Sequence, residues 1–506
     1  MQRLIEVLKA PGSQSPITVT APMKLVLPAG VLEDVHIASA IDDDEKLDNH
    51  SGHGLKKATL DRWLDNIVKA SGSTPVFVLI VCGLLAWAFL GIPYGHSEEW
   101  PILISDIQAI LCYIFDSFIM RQQFNAQQQH IRFSASLRSR HQNLKNMLLQ
   151  LSCQPRVAGG AALVQESPQD TFEVEVLPEC WLGWLATKAS LAFGHFITLC
   201  LFWAGIFVWL GFGNYCDWSN QWQLYINSAT SALMVLIFAF LAYIQEWHGT
   251  STQKCLTRLT QIDCDLEKSL RQATNYATEN STIIVAPPSM SKIQRAIFYY
   301  ADLVGTLTGI VILIIVIVVW IALGPLLSFN ANWWLIIGTY AGLVGMHDGF
   351  VLRNLQKNLR MREDETFEQN KLEDIELLEI LGARAHQESP VQKHSLSYRI
   401  SNRISNVFSH ELAVVVGLLT VVGLLVAATV MGWSTTGQLI CNFPPSIIES
   451  FVMMVVLSAH NMSDGQRRDD LESFYATRVQ VAKYVQQFSR HSIALSEQGK
   501  LIKILE

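Results

Sequence analysis

The chain has 506 residues, half of them hydrophobic and only 16% charged, against about 25% in an ordinary soluble domain. Mean hydropathy is +0.26 and nine cysteines are spread over this length, which excludes a disordered, collagen-like or small disulfide-stapled protein. A formal net charge of −7 leaves no footprint for nucleic acid.

Residues 1–58 lack a continuous apolar run and pass through Asp42, Asp43, Asp44 and Glu45, which predicts a largely disordered cytosolic tail and no cleavable signal. His50 and His53 read as part of that solvated linker. Beyond the tail, four windows hold no Lys or Arg: 75–120, 189–244, 297–352 and 404–466. Each is about twice the ~20 apolar residues that cross a hydrocarbon core, and each has a polar break in its middle. The expected fold is an all-α integral membrane protein with eight transmembrane helices in four tandem hairpins. The spans fall at 75–92 and 102–120, 191–212 and 224–244, 303–326 and 334–352, and 411–433 and 443–460. With the segments between them, the hairpins define units 59–188, 189–296, 297–403 and 404–506.

Arg132, Arg138, Arg140 and Lys145 follow the first window, and Arg353, Lys357, Arg360 and Arg362 follow the third. By the positive-inside rule, both termini and the long connections are then cytosolic, and the four tight breaks face outward. Trp100, Trp218, Trp222, Trp333, Trp334 and Trp433 fit an aromatic belt at the outer interface. Leu256, Leu259, Ile262, Leu266 and Leu270 recur at helical spacing, as do Leu471, Phe474, Val481 and Phe488 more loosely, which predicts cytosolic amphipathic helices between hairpins. Such stripes pack against a neighbouring helix or a second subunit, so a homodimer through them is an open expectation.

Hairpins resemble one another in pairs. Asp116-Ser117-Phe118-Ile119-Met120-Arg121 aligns with Asp348-Gly349-Phe350-Val351-Leu352-Arg353, and Gln223, Leu224, Asn227, Ser231 and Gln245 align with Gln438, Leu439, Asn442, Ser446 and His460. Gly194-His195 likewise corresponds to Ser409-His410. The expectation is two pseudo-symmetric halves related by a two-fold along the membrane normal.

An ionisable group within a span costs about 2.5–3.5 kcal/mol at the helix centre on insertion scales, so each one is a candidate for an ion path. Asp106, Asp116, Asp348 and Glu449 qualify, and no Lys or Arg shares their windows. A travelling cation or a proton is the simplest partner left. Asp116 and Asp348 each lie about 7 Å before an arginine, Arg121 and Arg353, so pairing with those arginines is the alternative. Glu449 is the deepest, about 16 Å from His460 along its helix. His347 adds an imidazole beside Asp348, and His195, His410 and Glu411 form a second set near the inner mouth, either as ligands or as helix-start hydrogen-bonding groups. Carboxylate with imidazole suits Fe(II), Mn(II) and Zn(II) better than alkali cations. Cys216 and Cys441, both on the outer side, are candidates for a disulfide; Cys153, Cys180, Cys255 and Cys264 are expected to stay reduced. No Walker loop, HExxH, CxxC or nucleophile elbow is present, so nothing points to an enzyme.

The stretch from Leu60-Asp61-Arg62-Trp63 through Gly72-Ser73-Thr74-Pro75, and that from Trp222-Gln223-Leu224-Tyr225-Ile226-Asn227 to Ile244-Gln245, resemble the low-affinity iron permease family in its fungal, multi-hairpin form. The likeness is clear in the first two hairpins and diffuse in the last two, where Trp334 precedes Leu335-Ile336-Ile337-Gly338-Thr339 in place of the expected Gln and Asn. The resemblance implies plasma-membrane uptake of Fe2+, with Zn2+, Mn2+ and copper ions as further substrates. No cofactor is expected, only the transported Fe2+ or Zn2+ as bound ion. The competing readings are a monovalent-cation or proton channel using the same carboxylates, and a membrane scaffold acting through its cytosolic helices.

Overall fold

The computed structural model describes residues 16–23, 59–95, 97, 99–152, 181–382 and 396–505. The acidic run 42–45, His50, His53, Cys153 and Cys180 lie outside them. One helical unit occurs four times. Each copy begins with a 13-residue helix: α1 (Thr59–Ser71), α4 (Trp181–Phe193), α7 (Lys292–Val304) and α10 (Leu396–Phe408). After a two-residue break the chain enters an apolar helix: α2 (Thr74–Tyr94), α5 (Phe196–Gly211), α8 (Leu307–Leu323) and α11 (Glu411–Val430). A tight turn then leads into a long helix: α3 (Glu99–Ser152), α6 (Asn220–Thr274), α9 (Ala331–Leu381) and α13 (Phe443–Leu505), the last preceded by the short α12 (Thr435–Ile440).

Among the described residues, six helices are long and apolar enough to cross a membrane, and the pairs α4–α5 and α7–α8, bent by 61° and 67°, bring the number up to eight if each pair is one span. The breaks have local causes. Pro75 starts α2 in the first turn, where a missing N–H leaves no bond unmade. Across the α7–α8 break, Ser117 and Tyr113 of α3 donate to the carbonyls of Val304 (2.7 Å) and Gly309 (3.1 Å). Asn354 of α9 holds the carbonyl of Ser409 at 2.7 Å between α10 and α11.

The expected outer tryptophan belt is partly a set of clasps. Trp87 and Trp100 stack at 4.4 Å and each indole N–H donates to the other's carbonyl; Trp320 and Trp333 repeat this in the third unit. Trp209 and Trp222 stack at 3.7 Å in the second. All three pairs are spaced alike in sequence, so they fix a common register for the first three long helices. The turns of the last three units also coincide: Trp218, Phe329 and Trp433 take positive φ (52°, 49° and 53°) and return an N–H to Gly213, Gly324 and Ala428.

The four long helices run parallel and pack in the order α3–α6–α13–α9, closing on α3. The short apolar helices lie outside this ring and expose most of their aliphatic side chains, as lipid-facing helices do. The ring order corrects the expected symmetry. A two-fold axis down the ring would carry α3 onto α13 and α6 onto α9, whereas the sequence likenesses join ring neighbours, α3 with α9 and α6 with α13. The architecture is four quasi-equivalent units, not two related halves.

The amphipathic segments also differ from expectation. They are not separate helices but uninterrupted continuations of α3, α6, α9 and α13, because no proline follows the apolar windows within them. Leu256, Leu259, Leu266 and Leu270 pack against α3, α9 and α13 of the same chain, with Leu144, Met147, Leu377 and Val481 in the same cores. The stripes therefore do not call for a second copy. Arg140, almost fully buried, bonds Asp263 (3.2 Å) and Glu267 (2.9 Å), and Arg478 bonds Asp263 and Asp374, which locks all four extensions together. A two-stranded antiparallel pair, β1 (Ile17–Val19) with β2 (Ile283–Val285), lies against α3, where Ala21 N–H donates to Ser139. Cys216 and Cys441 are both free thiols; the Cys441 thiol donates to Leu424 O at 3.2 Å.

Candidate functional site

The common register places one residue of each long helix at each level of the ring. A heptad spacing of small and polar residues then faces the axis, the arrangement of a parallel four-stranded coiled coil. The outermost level is Ser105, Asn227, Gly338 and Asn442. Asn227 Nδ2 donates to Ser105 Oγ at 2.9 Å, and a Cβ on Gly338 would stand 2.6 Å from Asn442 Nδ2. Below it, Ser231 donates to Gln108 Oε1 (3.3 Å) and Ser446 contacts Thr230 at 2.9 Å.

Seven residues in from the first level stand Cys112, Met234, Gly345 and Glu449. Glu449 is fully buried, neither oxygen has a nitrogen or hydroxyl partner, and the Cys112 thiol lies against it. Its carboxylate occupies the notch left by Gly345: a Cβ there would be 2.7 Å from Cδ and 2.8 Å from Oε2. Asp116 follows one turn further along α3, fully buried, with neither oxygen bonded. Asp348 accepts from the Tyr300 hydroxyl of α7 at 2.6 Å through Oδ1, and its Oδ2 has no partner. The three carboxylates interact electrostatically with one another.

Neither aspartate pairs with the arginine that follows it. Arg121 is bonded to Asp65 at 2.6 Å, and Arg353 donates to Gln356. The shared register also shows that Asp116 and Asp348 are not equivalent: the counterpart of Asp116 is Gly349, so the sequence alignment was one residue out of phase. Asp106 is buried near the outer end of α3 with Oδ2 unpaired. His347 turns away from the axis. Its ring packs edge-on to Tyr300 and lines a lateral apolar cavity of about 950 Å3 between α7, α9 and α11, with Tyr340, Val414 and Leu418.

His195 and His410 stand at the breaks before α5 and α11, exposed, each accepting a backbone N–H two residues on, from Ile197 (3.3 Å) and Leu412 (3.2 Å). They cap helices and are not brought to the carboxylates. Glu411 accepts from Ser291 at 2.7 Å and is likewise apart. Among the described residues, no three His, Cys, Asp or Glu side chains already enclose a position for a metal ion. The residues that sequence reasoning missed here are Gly345, Cys112 and Tyr300. Asn227, Asn442, Ser231 and Ser446 were visible as repeats, and their repetition was the one signal that they share an axis.

Seven residues inward of Glu449's level, Ile119, Leu241, Leu352 and Val456 are all buried and form an apolar seal. Beyond it the ring turns polar again. His130 contacts Glu363 at 3.0 Å, and Arg467 bonds both Glu363 oxygens. Burial opposes the Glu363 charge, but Arg467 and His130 overcome it and hold the carboxyl well below its usual range; burial lowers His130, and Glu363 offsets only part of that.

A ring of long helices with apolar spans, surrounded by further apolar helices, is the architecture of a multi-pass membrane protein, and the buried carboxylates on its axis are its candidate functional site. The low affinity iron permease family matches residues 183–281 and 397–488, the second and fourth units, the latter being one where the sequence likeness was diffuse. The chain is 31% identical over 499 residues to the low-affinity iron/zinc ion transport protein of Schizosaccharomyces pombe, covering 95% of this chain and 85% of that protein. It is also 31% identical to the low-affinity Fe(2+) transport protein of Saccharomyces cerevisiae, over 86% of this chain and 84% of that one. The chain belongs to the low-affinity iron permease family. No solved structure matches it.

Proposed function

We propose that the chain carries out low-affinity uptake of Fe2+, and of Zn2+, Mn2+ and copper ions more weakly, across the plasma membrane along the axis of the long-helix ring. Both termini and the helical extensions are on the cytosolic side, and the tight turns face outward. The observation that carries this reading is the group of Asp116, Asp348 and Glu449: fully buried carboxylates, with unpaired oxygens, in windows free of Lys and Arg. Like charges so placed repel one another, and a cation or a proton relieves that repulsion. Ser105, Asn227 and Asn442 offer neutral oxygens at the entrance, Asp106 recruits from the outer side, and Glu449 binds at depth.

The membrane potential suffices as the driving force. A divalent ion crossing 100 mV gains about 4.6 kcal/mol, more than a thousandfold in distribution. Loose binding suits this role, since conduction requires release. A proton can neutralise the same carboxylates, so uptake is expected to compete with protons at acid pH.

The test is radiolabelled iron and zinc uptake into cells lacking other importers. Glu449→Gln, Asp116→Asn and Asp348→Asn are compared with wild type at matched surface abundance. Each is expected to lose most uptake, and wild-type rates in all three overturn the assignment. Saturable uptake for which Fe2+, Zn2+ and Mn2+ compete separates this reading from a monovalent-cation channel.

A further inference from the structure

Inward of the apolar seal lies a cluster of two imidazoles and a carboxylate. His248 of α6 is buried and His460 of α13 is half-buried, and their rings lie 8° from parallel. His248 Nδ1 is 3.3 Å from His460 Nε2, and the same Nδ1 is 3.3 Å from Asp464 Oδ2. Asp464 follows His460 by one helical turn. Its Oδ1 is buried without a partner, as is Oε1 of Gln245, at the same level of the ring as His460. Two donors 3.3 Å apart subtend about 104° at an ion 2.1 Å from each, close to the tetrahedral angle of a zinc-type site.

We propose that His248, His460 and Asp464, which do not enclose an ion position as they stand, close around Fe2+ or Zn2+ as a second metal station that takes the ion from the carboxylates above the seal and releases it to the cytosolic side. This rests on the uptake reading given above. In the empty state the two imidazoles share a hydrogen bond. An ion takes the place of that hydrogen, which moves to the far nitrogen of its own ring, so the site gains the ion without a net loss of protons. Asp464 supplies the charge and Gln245 a neutral oxygen. Two imidazoles favour a borderline-soft ion over Mg2+ or Ca2+. Arg468, bonded to Asp464 Oδ2 at 2.8 Å, holds the carboxylate in place and weakens the site for cations, as release demands.

The experiment uses the full chain purified in detergent and titrated with Co2+ while its visible absorption is followed, alongside uptake in cells. Wild type is expected to give an imidazole-ligated Co2+ spectrum. His248→Gln and His460→Gln should weaken Co2+ binding at least tenfold, roughly the lower bound for disturbing a metal site. They should also lower the maximal rate of uptake with little change in KM, because the station lies after entry. Glu449→Gln should lose uptake yet keep the spectrum. An unchanged spectrum in both histidine variants, or none in wild type, overturns the station; loss of uptake in the carboxylate variants alone would then leave the uptake reading standing. Wild-type uptake in all three carboxylate variants overturns that reading instead. Where a histidine variant fails to fold, a density map of zinc-loaded wild type decides: a peak between the two rings supports the station, and its absence overturns it.

Discussion

Gly345→Ala adds a single methyl at the deepest level of the axis. Its Cβ would stand 2.7 Å from Glu449 Cδ, where carbon atoms prefer about 3.5–4.0 Å, so the carboxylate must retreat by roughly 1 Å. Overpacking of this kind costs about 1–3 kcal/mol. If that cost falls on the ion-bound geometry, uptake below saturation drops by about 5- to 150-fold. The second variant makes the reasoning specific: Glu449→Asp withdraws the carboxylate by one methylene, about 1.5 Å, and the double variant Gly345→Ala/Glu449→Asp should recover part of what Gly345→Ala loses. The assay is initial-rate iron uptake at matched surface abundance, arranged as a double-mutant cycle. Wild-type uptake by Gly345→Ala refutes the notch. So does a strictly additive cycle, because two groups in contact must couple.

The histidine caps should tolerate another cap: His195→Asn and His410→Asn are expected to keep uptake, while the alanine variants lose about 0.5–2 kcal/mol of stability, read as lower melting temperature in detergent. Arg140→Leu leaves Asp263 and Glu267 buried with one cation fewer and should destabilise the extension by about 3–5 kcal/mol, seen as loss of folded protein at the surface rather than as a change in KM. The extension should also weaken in acid. His130 is depressed, so the unfolded chain takes up its proton first and stability falls as pH drops below about 6.5; Glu363, also depressed, adds a second loss below about 4.5. Melting temperatures measured from pH 8 to 4 check the sign, and a flat profile would contradict it.

The hairpins could be read from the sequence because a window without Lys or Arg is a property of solvation in lipid, and Glu449 stood out for the same reason. The coiled-coil register of the long helices was hidden. Heptads are recognised by apolar residues, and here the axial positions within the membrane are Ser105, Asn227, Gly338 and Asn442, where an apolar background makes polar and small residues the inward-facing ones. The continuity of the four long helices was hidden too, since composition changes sharply at Arg121 and Arg353 while the backbone does not. Gly345 gave no signal at all, because its role is the volume it leaves to a side chain on another helix.

Four quasi-equivalent hairpins joined in one chain allow something that four identical subunits do not. In a symmetric ring, the level that holds Glu449 would carry four glutamates, with strong mutual repulsion and no room, or four glycines, with no ligand. Here that level is Cys112, Met234, Gly345 and Glu449: one carboxylate, one notch to receive it, and two sulfur-bearing side chains on the remaining helices. The two aspartates are then displaced from this level, Asp116 one turn inward on α3 and Asp348 of α9 held aside by Tyr300 of α7. Negative charge is thereby spread over successive turns instead of concentrated at one. A closed site with all ligands at a single level would bind an ion tightly and release it slowly; on the proposed uptake path, carboxylates staggered along the axis would bind it weakly and in sequence, which is what low-affinity permeation requires.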